Sequence, residues 1–166
     1  LFAMPVLLKH FQSKLDTSNL TVVSPDMGRV RVADIWSDKL GSPLAIIHKR
    51  RDPLVPNKVS VHEIIGPVEG RVCLIVDDMI DTGRTIVAAA QALKEAGALS
   101  VVVAATHAIL SDPATEILQS EFINSVVVTD TLPIPQAKRF PTLTILPIAP
   151  LLALAIQQVF GDGSVT

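Results

Sequence analysis

The apolar positions of the chain fall into two rhythms. Short runs rich in valine and isoleucine occupy Leu20–Ser24, Leu44–His48, Arg71–Val76, Ser100–Thr106, Asn124–Asp130 and Leu143–Pro147. Several are continuous rather than alternating, which is the pattern of strands buried on both faces. Between them lie longer stretches in which apolar residues recur at three and four positions. Val30–Gly41 reads as a helix, with Val32, Ile35, Trp36 and Lys39-Leu40 forming one side and Gly41 as its stop. Arg84–Ala96 reads as another, with Ile86, Ala90 and Leu93 in line. In "SDPATEILQS", Asp112 is placed to cap a helix and Pro113 to take its first position. "APLLALAIQQVF" closes the series as a last helix. Strands separated by helices predict an α/β fold: a parallel β-sheet with helices on both faces. In such sheets ligands gather at the carboxyl ends of the strands.

Composition narrows this picture. The 166 residues are 49% hydrophobic and 18% charged, which suits one globular domain with a substantial core. A net charge of −2 implies no general attraction to nucleic acid or to a membrane surface. No uninterrupted apolar run reaches the roughly 18 residues of a membrane span. The single cysteine, Cys73, excludes an internal disulfide framework, suits a reducing cytoplasm and sits in an apolar run that reads as core. The start, "LFAMPVLLKH", has an apolar patch without the basic leader or cleavage site of a signal peptide. It has no initiator methionine, as expected of a fragment or a processed form.

Polar, ligand-type residues collect after the strands. Ser24-Pro25-Asp26-Met27-Gly28-Arg29 follow the first, and His48-Lys49-Arg50-Arg51-Asp52 the second. Asp77-Asp78-Met79-Ile80-Asp81-Thr82-Gly83 follow the third, His107 the fourth, and Thr129-Asp130-Thr131 the fifth. In "VCLIVDDMIDTGRT", Asp81-Thr82-Gly83-Arg84-Thr85 lies between a strand and a helix. Unpaired N–H groups at a helix start, a glycine that admits close approach and two threonine hydroxyls make a phosphate cradle. An ordinary cap by Asp81 or Thr82 is the plainer alternative. Carboxylates at Asp77 and Asp78 can accept the paired hydroxyls of a sugar, or hold a metal that bridges to them. Adjacent strand residues point opposite ways, so at least one of the pair faces the crevice. "DDMID" also fits the magnesium-binding acids of isoprenyl diphosphate synthases. Those acids sit on a helix, whereas here a β-rich run precedes them and a Thr-Gly break follows.

The whole set is ordered. "VCLIVDDMIDTGRT" resembles the phosphoribosyl-binding motif of phosphoribosyltransferases and ribose-phosphate diphosphokinases. "VVSPDMGRVRVADIW", "PLAIIHKRRDP", "EIIGPVEGR", "ATHAILSDPA" and "VVVTDTLP" follow the order and approximate spacing of the second group, the phosphoribosyl diphosphate (PRPP) synthetases. The resemblance covers nearly all of residues 1–166 but only the later half of such an enzyme. It implies a single domain of the type I phosphoribosyltransferase fold, with the first domain absent. It also implies that the tail, residues 161–166, belongs against that first domain's surface.

The resemblance implies transfer of the diphosphoryl group of ATP to the anomeric hydroxyl of ribose 5-phosphate, giving PRPP and AMP for nucleotide biosynthesis. Lys49 and Arg51 match catalytic cations on a loop, and Asp26 matches a ligand of Mg2+. Asp77 and Asp78 match the grip on the ribose hydroxyls, and Asp81, Thr82, Gly83, Arg84 and Thr85 match the wrap around the 5-phosphate. Arg84 and Arg29 both depart from glycines usual in the family; Arg84 is expected to point outward, and Arg29 to add charge for diphosphate. Ser164 and Val165 match part of a nucleotide-control site. A cytoplasmic homo-oligomer is implied, with neither nucleic acid nor membrane as partner. His107 and Asp130 read as structural or crevice-lining residues, and Trp36 as core or interface. Two alternatives stay open: a phosphoribosyltransferase that consumes PRPP, and a non-catalytic regulatory or assembly module of the same fold.

Overall fold

The computed structural model describes residues 1–50, 61–161 and 163–164. Seven strands form one sheet: β1 (Leu20–Ser24), β2 (Leu44–Arg50), β3 (Val61–Ile65), β4 (Val72–Ile80), β5 (Ser100–Ala108), β6 (Ser125–Thr129) and β7 (Leu143–Leu146). Their order is β3-β2-β1-β4-β5-β6-β7. All neighbours run parallel except β3, which pairs antiparallel with β2 at the edge. The mostly parallel α/β sheet expected from the continuous apolar runs is therefore present, with one antiparallel edge strand that those runs do not announce.

Alternation along the central strands divides the core into two layers. Leu74 and Val76 of β4 face one side with Leu20 and Val22 of β1, under α1 (Met4–Lys14) and α2 (Val30–Leu40). Cys73 and Ile75 face the other with Val101 and Val103 of β5, under α3 (Arg84–Glu95) and α4 (Ala114–Ile117). Burial pushes the Cys73 thiol up to about 11, so it is an inert core group rather than a nucleophile.

Details of the helices differ from the sequence reading. The buried side of α2 is Ala33, Trp36 and Leu40, while Ile35 faces out. Trp36 packs edge-on against Phe11 of α1, with ring centroids 6.1 Å apart, so it is core. Gly41 does end α2, in the left-handed conformation. The helix expected after Asp112 is a single turn of four residues. Asp112 does not cap it, because Pro113 stands at the N-cap after a cis peptide bond and Ala114 is the first helical residue. α1 was not expected; it starts with Pro5 in its first turn and buries Leu7, Leu8 and Phe11.

The last helix, α5 (Ala149–Phe160), is almost wholly apolar yet buries no residue. Leu152, Leu154, Ile156, Val159 and Phe160 are all exposed. Among the described residues no helix is long and apolar enough to cross a membrane.

Candidate active site

The strand order reverses direction between β1 and β4. At such a switch point the loops leaving the two strands turn to opposite faces and open a crevice at the carboxyl edge. A cavity of about 180 Å³ lies there, lined by Asp26, Arg29, Asp77, Asp78 and the run from Met79 to Ile86. The structure thus brings together Asp26, Asp77, Asp78, Asp81, Thr82, Gly83, Arg84 and Thr85, which come from two separate stretches of sequence.

From β1 the chain enters a tight turn. Asp26 caps it: its Oδ1 accepts from the backbone N–H of Gly28 at 2.8 Å and of Arg29 at 3.2 Å. Ser24 braces the same turn by donating its hydroxyl to the Asp26 carbonyl at 2.7 Å. The Asp26 carboxylate is exposed, with both of these bonds on one oxygen.

β4 does not stop where its apolar run stops. It pairs with β5 through Asp77, Met79 and Ile80, so the acids lie within the strand. Strict alternation breaks here, because Ile80 returns to the α3 layer with Cys73 and Ile75. Both acids reach one partner, where the sequence guaranteed only one in the crevice. Arg29 Nε lies 3.3 Å from Asp77 Oδ1, and Arg29 Nη2 lies 2.6 Å from Asp78 Oδ2. The expected free charge of Arg29 is thus committed to the acids in this state. Asp77 Oδ1 also accepts the Asp78 backbone N–H at 2.8 Å. Asp78 Oδ1 is buried and has no hydrogen-bond partner among the described residues.

Beyond β4, Gly83 adopts φ 75° as the N-cap of α3, a conformation that glycine takes without the cost of a Cβ. No side chain caps α3. The plainer alternative, a cap by Asp81 or Thr82, is therefore not what the structure contains. A helix start leaves its first N–H groups without intrahelical partners, and the first residues of this 12-residue helix line the cavity. Arg84 is the first helical residue and is exposed, so it needs no glycine-only backbone.

Asp77 has an acid constant pushed up to about 6 from 3.8. Burial is the main cause and the neighbouring Asp78 adds to it, while the Asp78 N–H and the Arg29 guanidinium act in the opposite sense. A carboxyl raised on folding prefers its proton in the native state, so its stabilising share is complete below the unfolded value. That share is lost as pH rises from about 4 to about 6. Urea unfolding midpoints are expected to carry a falling component over this window and none above it. Asp77→Asn should remove that component; an unchanged profile in the variant would refute the assignment.

Other sequence candidates have structural partners. His107 Nδ1 lies 2.9 Å from Thr131 Oγ1, and Asp130 Oδ1 accepts the Ile148 N–H at 2.7 Å, closing the turn before α5. Lys49 stands in β2 opposite His62, on the strand next to β1. Its side chain, Arg51 and Val165 lie outside the described residues. The pairing of Arg29 with both acids is the feature sequence reasoning missed, and no local pattern encodes it.

Comparison with known proteins places this geometry. The model of the phosphoribosyl synthetase-associated domain matches residues 53–166. The ribose-phosphate pyrophosphokinase of Streptomyces avermitilis is 57% identical over 166 residues, covering 100% of this chain and 51% of the relative. That of Mycobacterium tuberculosis is 53% identical over 162 residues, covering 97% and 50%. The crystal structure of phosphoribosylpyrophosphate synthetase from Mycobacterium smegmatis matches with a TM-score of 0.87 at 47% identity, over 97% of this chain and 51% of that one. Orotate phosphoribosyltransferase from Aeropyrum pernix shares the fold, with a TM-score of 0.56 at 18% identity over 93% of this chain and 75% of that one. The chain spans about half the length of the curated relatives it matches. With the family model covering most of the chain and relatives this similar along its whole length, the chain belongs to the phosphoribosyl synthetase-associated domain family.

Proposed function

We propose that this chain is the ribose 5-phosphate-binding half of a ribose-phosphate diphosphokinase. The observation that carries the reading is that one cavity joins a diacid to an uncapped helix start. Asp77 and Asp78 accept the vicinal hydroxyls of the ribose, and the open N–H groups at Gly83–Thr85 hold its 5-phosphate. This fixes the sugar at both ends and leaves its anomeric hydroxyl to meet ATP.

The anomeric oxygen attacks the β-phosphorus in line. A new oxygen–phosphorus bond forms as the bond from the β-phosphorus to the α–β bridging oxygen breaks, releasing AMP, and the proton of the anomeric hydroxyl passes to solvent. Positioning and charge neutralisation carry such a transfer. Lys49 and Arg51 are assigned to the charge that develops on the diphosphoryl group. Arg can grip phosphate at two points, while Lys acts as a point charge.

Asp26 would hold Mg2+, and the donor set fits. An exposed carboxylate at the crevice mouth suits a cation that keeps several waters and is shared with phosphate. Among the described residues no cluster of three ligand side chains could cage a metal unaided, which also fits a cation carried largely by its nucleotide. When bound, Mg2+ supplies charge neutralisation along the phosphates. The full protein is read as a cytoplasmic homo-oligomer; the exposed apolar side of α5 supports association. The tail at 161–166 is read as lying against the other half of the full protein.

The test is an assay with ATP, ribose 5-phosphate and Mg2+ that follows AMP and PRPP. The full-length protein is expected to release them in equal amounts. This chain alone is expected to bind ribose 5-phosphate and turn over poorly, because the relatives carry a further half. Full-length protein that makes no PRPP, or a chain that binds no ribose 5-phosphate at millimolar concentration, would sink the reading.

A further inference from the structure

Two adjacent carboxylates in a half-enclosed crevice cannot both stay charged without a cation nearby. Asp77 is well covered, with 14% of its side chain exposed, and Asp78 is more open at 38%. A divalent ion is one remedy, but the structure contains another. The guanidinium of Arg29 spans the pair, with one nitrogen on each acid.

We propose that Arg29 is the resident counter-ion of the Asp77–Asp78 pair, a positioning residue that readies both carboxylates for sugar hydroxyls without a divalent cation. The inference rests on the ribose 5-phosphate reading above and deepens it.

Three observations carry it. Arg29 arrives from a braced turn, since its own backbone N–H is tied to Asp26 Oδ1 at 3.2 Å and Ser24 holds the Asp26 carbonyl. The guanidinium is therefore delivered from a defined anchor rather than from a loose loop. Second, it takes one oxygen of each acid, Asp77 Oδ1 and Asp78 Oδ2, so one guanidinium neutralises the pair without engaging both oxygens of either carboxylate. Third, Arg29 and both acids line the same cavity as Gly83, Arg84 and Thr85, where the 5-phosphate is placed. The remaining charged groups of that lining are Asp26, Asp81 and Arg84. A metal at the acids would have to displace a guanidinium already seated at 2.6 Å. The crevice is thereby divided: Mg2+ belongs with the nucleotide phosphates at Asp26, and the sugar belongs with a diacid neutralised from within.

The experiment is calorimetric titration of ribose 5-phosphate into the purified chain, once with EDTA and once with Mg2+. Wild-type affinity is expected to differ by less than about threefold between the two buffers, since the pair has its own cation. Arg29→Gln should lose at least about tenfold in EDTA and regain most of that with Mg2+, because an uncompensated diacid then needs an external charge. Arg29→Lys, which restores a point charge, should recover much of the loss in EDTA. Metal dependence is the readout that a merely structural arginine would not move. Wild-type binding that collapses in EDTA overturns the inference and leaves the ribose 5-phosphate reading standing. Arg29→Gln that matches wild type in EDTA, or stays weak in Mg2+, overturns it too. Wild-type chain that binds in neither buffer removes both. The wild-type comparison alone decides the matter if Arg29→Gln does not fold.

Discussion

Gly66→Ala is expected to destabilise the fold by about 3 kcal/mol or more, the sum of overpacking and a glycine-only backbone. Gly66 follows β3 with φ 123°, a region closed to side chains. A Cβ there would meet the Leu44 carbonyl oxygen at 2.5 Å, Ala45 Cα at 2.7 Å and Ala45 Cβ at 2.9 Å. None of these is the movable end of a side chain. Leu44 and Ala45 belong to β2 and are locked in register with Val22 and Val23 of β1, so the strand cannot retreat without tearing the sheet. Gly41→Ala is the matched control. It also has positive φ, 60°, but nothing lies within 4 Å of its added carbon. It should cost only about 1–2 kcal/mol, the ordinary price of the left-handed region. Urea denaturation of both variants measures the difference; equal losses would refute the account.

Asp77→Asn combined with Asp78→Asn is expected to weaken ribose 5-phosphate binding at least about a hundredfold while leaving the fold intact. Hydrogen bonds to charged groups contribute about 1.5–3 kcal/mol each, and two are removed together. Asparagine keeps the shape and one acceptor, so the loss reports charge rather than volume. The fold should tolerate the change, because burial already disfavours the Asp77 charge and the Asp78 side chain is partly exposed. The paired measurements are calorimetric affinity and thermal midpoint. Binding within tenfold of wild type would remove the diacid from the sugar site. A collapsed midpoint would instead make the acids part of the scaffold.

How much of this was legible in the sequence depends on how local each cause is. Strands such as Ser100–Ala108 announce themselves because burial on both faces demands uninterrupted apolar residues. The collection of acids and hydroxyls at one sheet edge follows from parallel topology, so the site's location could be read before its geometry. The continuation of β4 through Asp77 and Asp78 could not, since aspartate is a poor strand former and only pairing with β5 overrides it. α1 hides because its apolar residues crowd into one run, Met4 to Leu8, with only Phe11 beyond it in the helix, and so show a patch rather than a helical rhythm. β3 follows a polar, proline-containing stretch that reads as loop throughout, and its partner is set by an antiparallel return. The contact of Arg29 with both acids joins two strand ends that only the fold makes neighbours. In each missed case the deciding partner is distant in sequence.

The exposed apolar side of α5 changes how substitutions in this chain are to be weighed. Leu93 of α3 and Leu154 of α5 are the same residue in helices of equal length, 12 residues each. Leu93 is fully buried, whereas Leu154 is 53% exposed. In a mutational scan scored by foldedness of this chain, Leu93→Glu should be lethal and Leu154→Glu neutral. Scored by association of the full protein, Leu154→Glu should join the damaging class. Hydropathy alone would rank the two positions together. A variant at α5 that passes a stability screen is therefore to be scored for association as well, because that helix buries none of its residues in this chain.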